Sequence, residues 1–196
     1  MALVNEESTS ETPNSPSVPL CLDIPDANFI LQSSDHVNFR VHKSVLAMSS
    51  PFFQDLLSLP QPPLDELVDG LPVLHVPEDS DLLNSLVSLL YPIHRVKPGP
   101  YQKVFALLAA CHKYDMEPIQ RYIRDEVKRG TFPAPVKSEA FSAYALASSM
   151  GLGPEMEHAA GLTLRQVMTF KSLGETLRQF RGPALCELIH YRSIHK

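Results

Sequence analysis

The sequence predicts an α/β fold of the α+β kind: a small sheet flanked by helices, followed by an all-helical C-terminal extension. Three observations carry that expectation. Phe39 and Val41, with the partner run Phe29 to Leu31, alternate with polar neighbours, the period of two that half-buried strands require. After His42 the apolar period becomes helical, and beyond Pro135 every remaining pattern is helical.

The elements follow in order. Residues 1–23 are rich in Ser, Thr, Pro and Glu, a composition that cannot offset its ordering entropy, and read as a disordered leader. Ser33-Ser34-Asp35 is turn chemistry, so the first two strands form a hairpin. Val45, Leu46 and Met48 then fall on one helical face, and Ser50-Pro51 restarts the chain: Ser is a favoured N-cap, and Pro in the first turn loses no needed hydrogen bond. A second helix from Pro51 presents Phe52, Phe53, Leu56 and Leu57. The proline-rich stretch from Pro60 to Pro72 reads as a surface loop, and Val73 to Val76 as a third strand joining the hairpin.

Glu78 to Asp81 supplies a cap and first-turn acids for a helix with a Leu82, Leu83, Leu86, Val87, Leu90 stripe that ends near Tyr91-Pro92. Tyr101 to Tyr114 buries Val104, Phe105, Leu107, Leu108 and Cys111, and Met116 to Arg129 turns Ile119, Tyr122, Ile123 and Val127 inward. Further helices are expected over Val136 to Met150, stopped by Gly151, then Pro154 to Phe170, Ser172 to Phe180, opening on the S-x-x-E box of Ser172 to Glu175, and Pro183 to His195.

Composition narrows the function classes. At 196 residues and 44% hydrophobic content the chain can bury a genuine core. A net charge of −5 leaves no basic footprint for nucleic acid. Cys21, Cys111 and Cys186 are odd in number and widely spaced, so neither a disulfide framework nor a zinc ribbon is indicated, and reduced thiols in an intracellular compartment are the simpler expectation. No run approaches a membrane span and no secretion signal opens the chain, so a soluble cytoplasmic or nuclear protein is expected.

The stretch FRVHKSVLAMSSPFFQDLL, Phe39 to Leu57, carries His42, Lys43, Leu46, Ser49, Ser50, Phe52 and Phe53 in the pattern H-[KR]-x-x-L-x-x-x-S-x-x-F, and it resembles the central signature of BTB/POZ domains. ALLAACHKYDMEPIQRYI resembles the paired helices that close such a domain, so the resemblance spans residues 24–129. The segment SLPQP with DGLPVLHVPED resembles a fungal, largely basidiomycete, subgroup with a proline-rich insertion, and residues 134–196 resemble a BACK-like helical extension. The leader departs from the extra helix that some dimeric members exchange between partners.

The resemblance implies a non-catalytic protein–protein interaction module that forms homo- or hetero-oligomers or recruits protein partners. It places Asp26 and Lys43 where members line a charged interface pocket, and makes Phe52, Phe53, Leu56 and the helix from Tyr101 candidates for the interaction surface. Leu64-Asp65-Glu66 has the apolar-x-Glu form of cullin-3 adaptors, with Leu64 and Glu66 as contacts, and makes a substrate adaptor of a cullin ubiquitin ligase the alternative.

Residues that suggest chemistry have plainer readings. His42 is the one histidine in a diagnostic position, either as a catalytic base or as a helix-start residue satisfied by backbone, and the scarcity of catalytic context favours the second. Cys111 and His112 are adjacent helical residues and do not face each other. The histidines and cysteines lack metal-ligand spacing, and neither a phosphate-cradling loop nor a nucleophile elbow is present, so no cofactor or metal is expected. Arg121, Arg124, Lys128 and Arg129 are interrupted by Asp125 and Glu126, as on a solvated helix face. A hydrolase assembled from distant Ser, His and Asp residues is the remaining alternative.

Overall fold

A computed structural model describes residues 24, 26–59, 67–91, 99–167, 169, 178, 180 and 182–195. The leader, the Leu64-Asp65-Glu66 triplet and the Ser172 capping box lie outside the described residues. The fold is mixed α/β with a helical C-terminal part.

The hairpin forms as the alternation predicts. β1 (Phe29–Gln32) and β2 (Asn38–Val41) run antiparallel in the register Phe29 to Val41 and Leu31 to Phe39. β4 (Leu71–His75) joins β1 in parallel, so the third predicted strand is present. The loop expectation for 60–72 needs correction at its end. Leu67–Val68 forms β3, antiparallel to β4, and the sheet order is β2-β1-β4-β3. Asp69 and Gly70 both take positive φ, +53° and +76°, as a two-residue hairpin turn matched to strand twist requires. Pro72 is tolerated in β4 because it precedes Val73, where the pairing with β1 begins. Arg40, Ile30 and Val73 stand side by side across the sheet, and Arg40 pairs with Asp69 at 2.5 Å, so its stem lies over the buried Ile30 and Val73.

The helices that close the sheet follow directly. α1 (Lys43–Ser49) sends only Leu46 fully inward. Met48 is 88% exposed, which overturns the expected one-sided face: two residues of helix rotate it about 200° from Leu46. α2 (Pro51–Ser58) starts where Ser50 caps it, with the Phe53 N–H donating to Ser50 Oγ at 3.0 Å. α3 (Ser80–Leu90) is capped by Asp79, which accepts from the Leu82 N–H at 2.8 Å. Asp35 in the hairpin turn binds the Ser80 N–H and hydroxyl, and the Ser33 hydroxyl first, with these Ser80 bonds second, holds its carboxyl below the usual range.

α4 (Tyr101–Lys113) buries seven residues on both its faces. α5 (Glu117–Lys128) buries Ile123 but leaves Tyr122 half-exposed, with its ring edge on Phe132; the inward reading of Tyr122 is corrected because Ile119 and Ile123 define the buried row one step around the helix.

A 3-10 turn over Lys137–Glu139 leads into α6 (Ala140–Ser149), and Gly151 stops it at φ +70° while the Leu152 N–H reaches back to Ala147 O at 2.9 Å. α7 (Gly153–Thr163) packs against α6 through Ala143, Ala147, Ala159 and Ala160, all buried, small enough for close approach. It ends seven residues before the predicted Phe170. The buried Arg192 of α8 (Gly182–Ile194) donates to the carbonyls of Thr163 and Gln166, occupying acceptors that a continuing helix would need.

Ser50→Ala removes the α2 cap and leaves a buried carbonyl unpaired, because Ser50 Oγ also donates to Tyr114 O at 2.5 Å. A loss of about 2–3 kcal/mol is expected in urea denaturation.

Candidate interaction surface

The corner between α1 and α2 is built from the signature residues. His42 precedes α1 with extended backbone, and its N–H donates to the Tyr91 hydroxyl at 2.8 Å while its Nδ1 lies 3.2 Å from the same oxygen. The imidazole therefore ties the start of α1 to the end of α3. Burial pushes the Tyr91 phenol above its ordinary value, keeping it a neutral partner there. The Lys43 N–H donates to Asn28 Oδ1 at 2.9 Å, and its Nζ lies 5.3 Å from the centre of the Phe29 ring, a cation–π contact. Asp26 is exposed at φ +58°, and among the described residues no ion pair joins it to Lys43. Ser49 bonds back to Val45 O at 2.7 Å.

The two consecutive phenylalanines separate cleanly. Phe53 is 1% exposed and stacks on Tyr114 with centroids 5.1 Å apart and planes 24° apart. Tyr114 donates its hydroxyl to Glu78, which also pairs with Lys113 at 2.8 Å; burial first, and the carboxylate second, push that phenol far up. Phe53 is thus core and cannot meet a partner. Tyr101 is likewise buried, its ring edge-on to Phe105 at 5.5 Å, so both drop out of the expected surface. Leu56 is half-buried. Leu64 and Glu66 lie outside the described residues.

What faces solvent is Phe52, 43% exposed with its ring 5.6 Å from Tyr114, and Met48, four residues earlier across the corner. Leu59 beyond α2 is 60% exposed. Met48 and Leu59 were missed by pattern reading; helical angle relative to Leu46 marks Met48, and nothing local marks Leu59.

The remaining polar groups are engaged structurally. Arg124 forms a forked pair with Glu155 at 2.8 and 3.2 Å, while Arg121, Lys128 and Arg129 pair with Glu117, Asp125 and Glu126 on their own helix. Cys111 is buried, which pushes its thiol up to about 12, and His112 is exposed, so the two are not a dyad. Among the described residues no group of His, Cys, Asp and Glu is placed to hold a metal ion, and no helix is long and apolar enough to cross a membrane.

A family model described as BTB/POZ domain matches residues 25–130. Among solved structures, the chain is similar to the BTB domain of zebrafish PATZ1, at 15% identity over 53% of this chain and 76% of that one, with a TM-score of 0.40. No curated protein matches the chain.

The two phenylalanines should respond oppositely to truncation. Phe53→Ala should cost about 3–5 kcal/mol in chemical denaturation followed by circular dichroism, whereas Phe52→Ala should stay within about 1 kcal/mol of the parent.

Proposed function

The chain belongs to the BTB/POZ domain family, a family of protein–protein interaction modules, and we propose that it works by self-association or partner recruitment through the exposed corner between α1 and α2. The observation that carries this reading is the pairing of Met48 and Phe52, large apolar side chains held out of the core on either side of a rigid, capped turn. Burying a flexible thioether and an aromatic ring against a partner is favourable, and both types are enriched at interface centres. Lys43 and Asp26, at the sheet end of the same helix pair, supply charge at the rim. The fixed geometry matters because little backbone freedom is lost on docking.

The cullin-3 adaptor alternative rests on Leu64-Asp65-Glu66, which the described residues do not reach, so nothing in the geometry favours it.

Met48→Asp and Phe52→Asp test the reading in the full chain, with sedimentation velocity over a range of concentrations and affinity purification from the native cell followed by mass spectrometry. Both variants should keep the parent circular dichroism spectrum and weaken self-association or partner capture by tens of fold, the effect of removing about 2 kcal/mol at an interface centre. Unchanged assembly and an unchanged set of captured proteins would contradict it.

A further inference from the structure

α8 turns two unlike faces to its surroundings. Ala184, Leu188 and Arg192 are buried, and the Arg192 guanidinium is engaged by the carbonyls of Thr163 and Gln166. On the opposite side Cys186, Glu187 and His190 face solvent, flanked by Ile189, 46% exposed, and Ile194, 62% exposed. At about 100° per residue, Cys186 and His190 lie within about 40° of each other, with Ile189 about 60° to one side of Cys186 and Ile194 about 40° beyond His190.

Among the described residues neither the Cys186 thiol nor the His190 imidazole has a hydrogen-bond or ion-pair partner. Four residues of helix bring their Cβ atoms to about 5–6 Å, close enough for sulfur and nitrogen to meet one ion at about 2.3 and 2.0 Å. The expectation that the histidines and cysteines lack ligand spacing passes over this pair, because C-x-x-x-H is a ligand spacing only on a helix. Sulfur with imidazole nitrogen selects zinc over calcium or magnesium, which take oxygen. The charged side chain on this face is the Glu187 carboxylate, which favours a cation.

A closed zinc site takes four ligands in a tetrahedron, and this face offers two. Among the described residues no third His, Cys, Asp or Glu completes a group able to hold a metal ion. A second copy supplies what is missing: a two-fold axis through the ion brings the same two residues from each chain, as an isologous contact does. That operation also takes Ile189 and Ile194 of both copies out of water. We infer that α8 carries half of a zinc site, and that two copies of this chain close it with two thiolates and two imidazoles. Each Cys186 thiol gives its proton to water as its bond to zinc forms, and the neutral imidazoles displace zinc-bound water, so each zinc bound by two chains releases two protons. The site uses neither Met48 nor Phe52, and it stands or falls separately from the α1–α2 corner.

Sedimentation velocity of the full chain, freed of metal with a chelator and titrated with zinc chloride under a non-thiol reductant, tests the proposal. Mass should double relative to the metal-free state and saturate at one zinc per two chains. The same step should appear in the Phe52→Asp variant, where the corner does not contribute, and in Cys21→Ser. Cobalt chloride in place of zinc should give thiolate-to-cobalt charge transfer and the visible bands of a tetrahedral ion, at the same stoichiometry. Cys186→Ser and His190→Ala alter exposed side chains and should melt like the parent. Each should weaken cobalt binding by more than about a hundredfold, beyond the loss that follows removal of a group merely supporting a ligand. Two ligand variants keep the test decisive if one of them misfolds. A mass that zinc does not change, saturation at one zinc per chain, or a zinc step that survives in a folded ligand variant would overturn the proposal.

Discussion

Ser50 carries one hydroxyl, fully buried, that serves two separate pieces of backbone: it accepts from the Phe53 N–H at the start of α2 and donates to the Tyr114 carbonyl at the end of α4. The Tyr114 carbonyl lies 64 residues from Ser50 in sequence, yet it shares that one oxygen with the start of α2. The Tyr114 ring then stacks on Phe53, and its hydroxyl reaches Glu78 just before α3. A buried polar network of this kind strengthens the fold only when each member is satisfied, and here the hydroxyl, the carbonyl and the carboxylate all have partners. The corner between α1 and α2 is therefore set by the core, and its outward residues are presented rather than free to collapse.

That constraint accounts for the division of labour between Phe52 and Phe53. Once the cap fixes the first turn of α2, a rotation of about 100° per residue turns Phe52 toward solvent and the next ring, Phe53, into Tyr114. The same logic of two-sided packing governs α4. Val104, Leu107 and Cys111 belong to the core, and Phe105 and Tyr101 are covered on their other side where the C-terminal helices pack, so α4 works as the shared wall of the family domain and the extension. Arg124 and Glu155 close that seam from α5 to α7, and Arg192 closes the end of α7. Among the described residues of this BTB/POZ chain, the helical extension is thus held to the domain by apolar contact and one partly buried ion pair. Such a pair gains specificity from its forked geometry more than it gains stability.

Much of this was legible in the sequence because it depends on local rules. Period-two alternation located the hairpin, Ser50-Pro51 located a helix start, and Gly151 located a helix stop. The signature from His42 to Phe53 pointed to the family before any coordinates. Misreadings occurred where the deciding contact is distant. β3 was hidden because the prolines around Asp69-Gly70 outweighed the signal of the two-residue turn that pairs it antiparallel with β4. α7 stopped early because Arg192, 29 residues on, takes its terminal carbonyl. Phe53 and Tyr101 read as surface candidates because a run of apolar residues does not say which face a sheet or a later helix will cover.

A double-mutant cycle between Phe53 and Tyr114 tests the central claim most directly. Phe53→Leu, Tyr114→Leu and the double variant would be unfolded in urea, with the coupling taken from the departure from additivity. The account predicts a coupling of about 0.5–1.5 kcal/mol, the worth of a stacked aromatic pair beyond its area. Additive losses, with the double variant equal to the sum of the singles within about 0.3 kcal/mol, would contradict it.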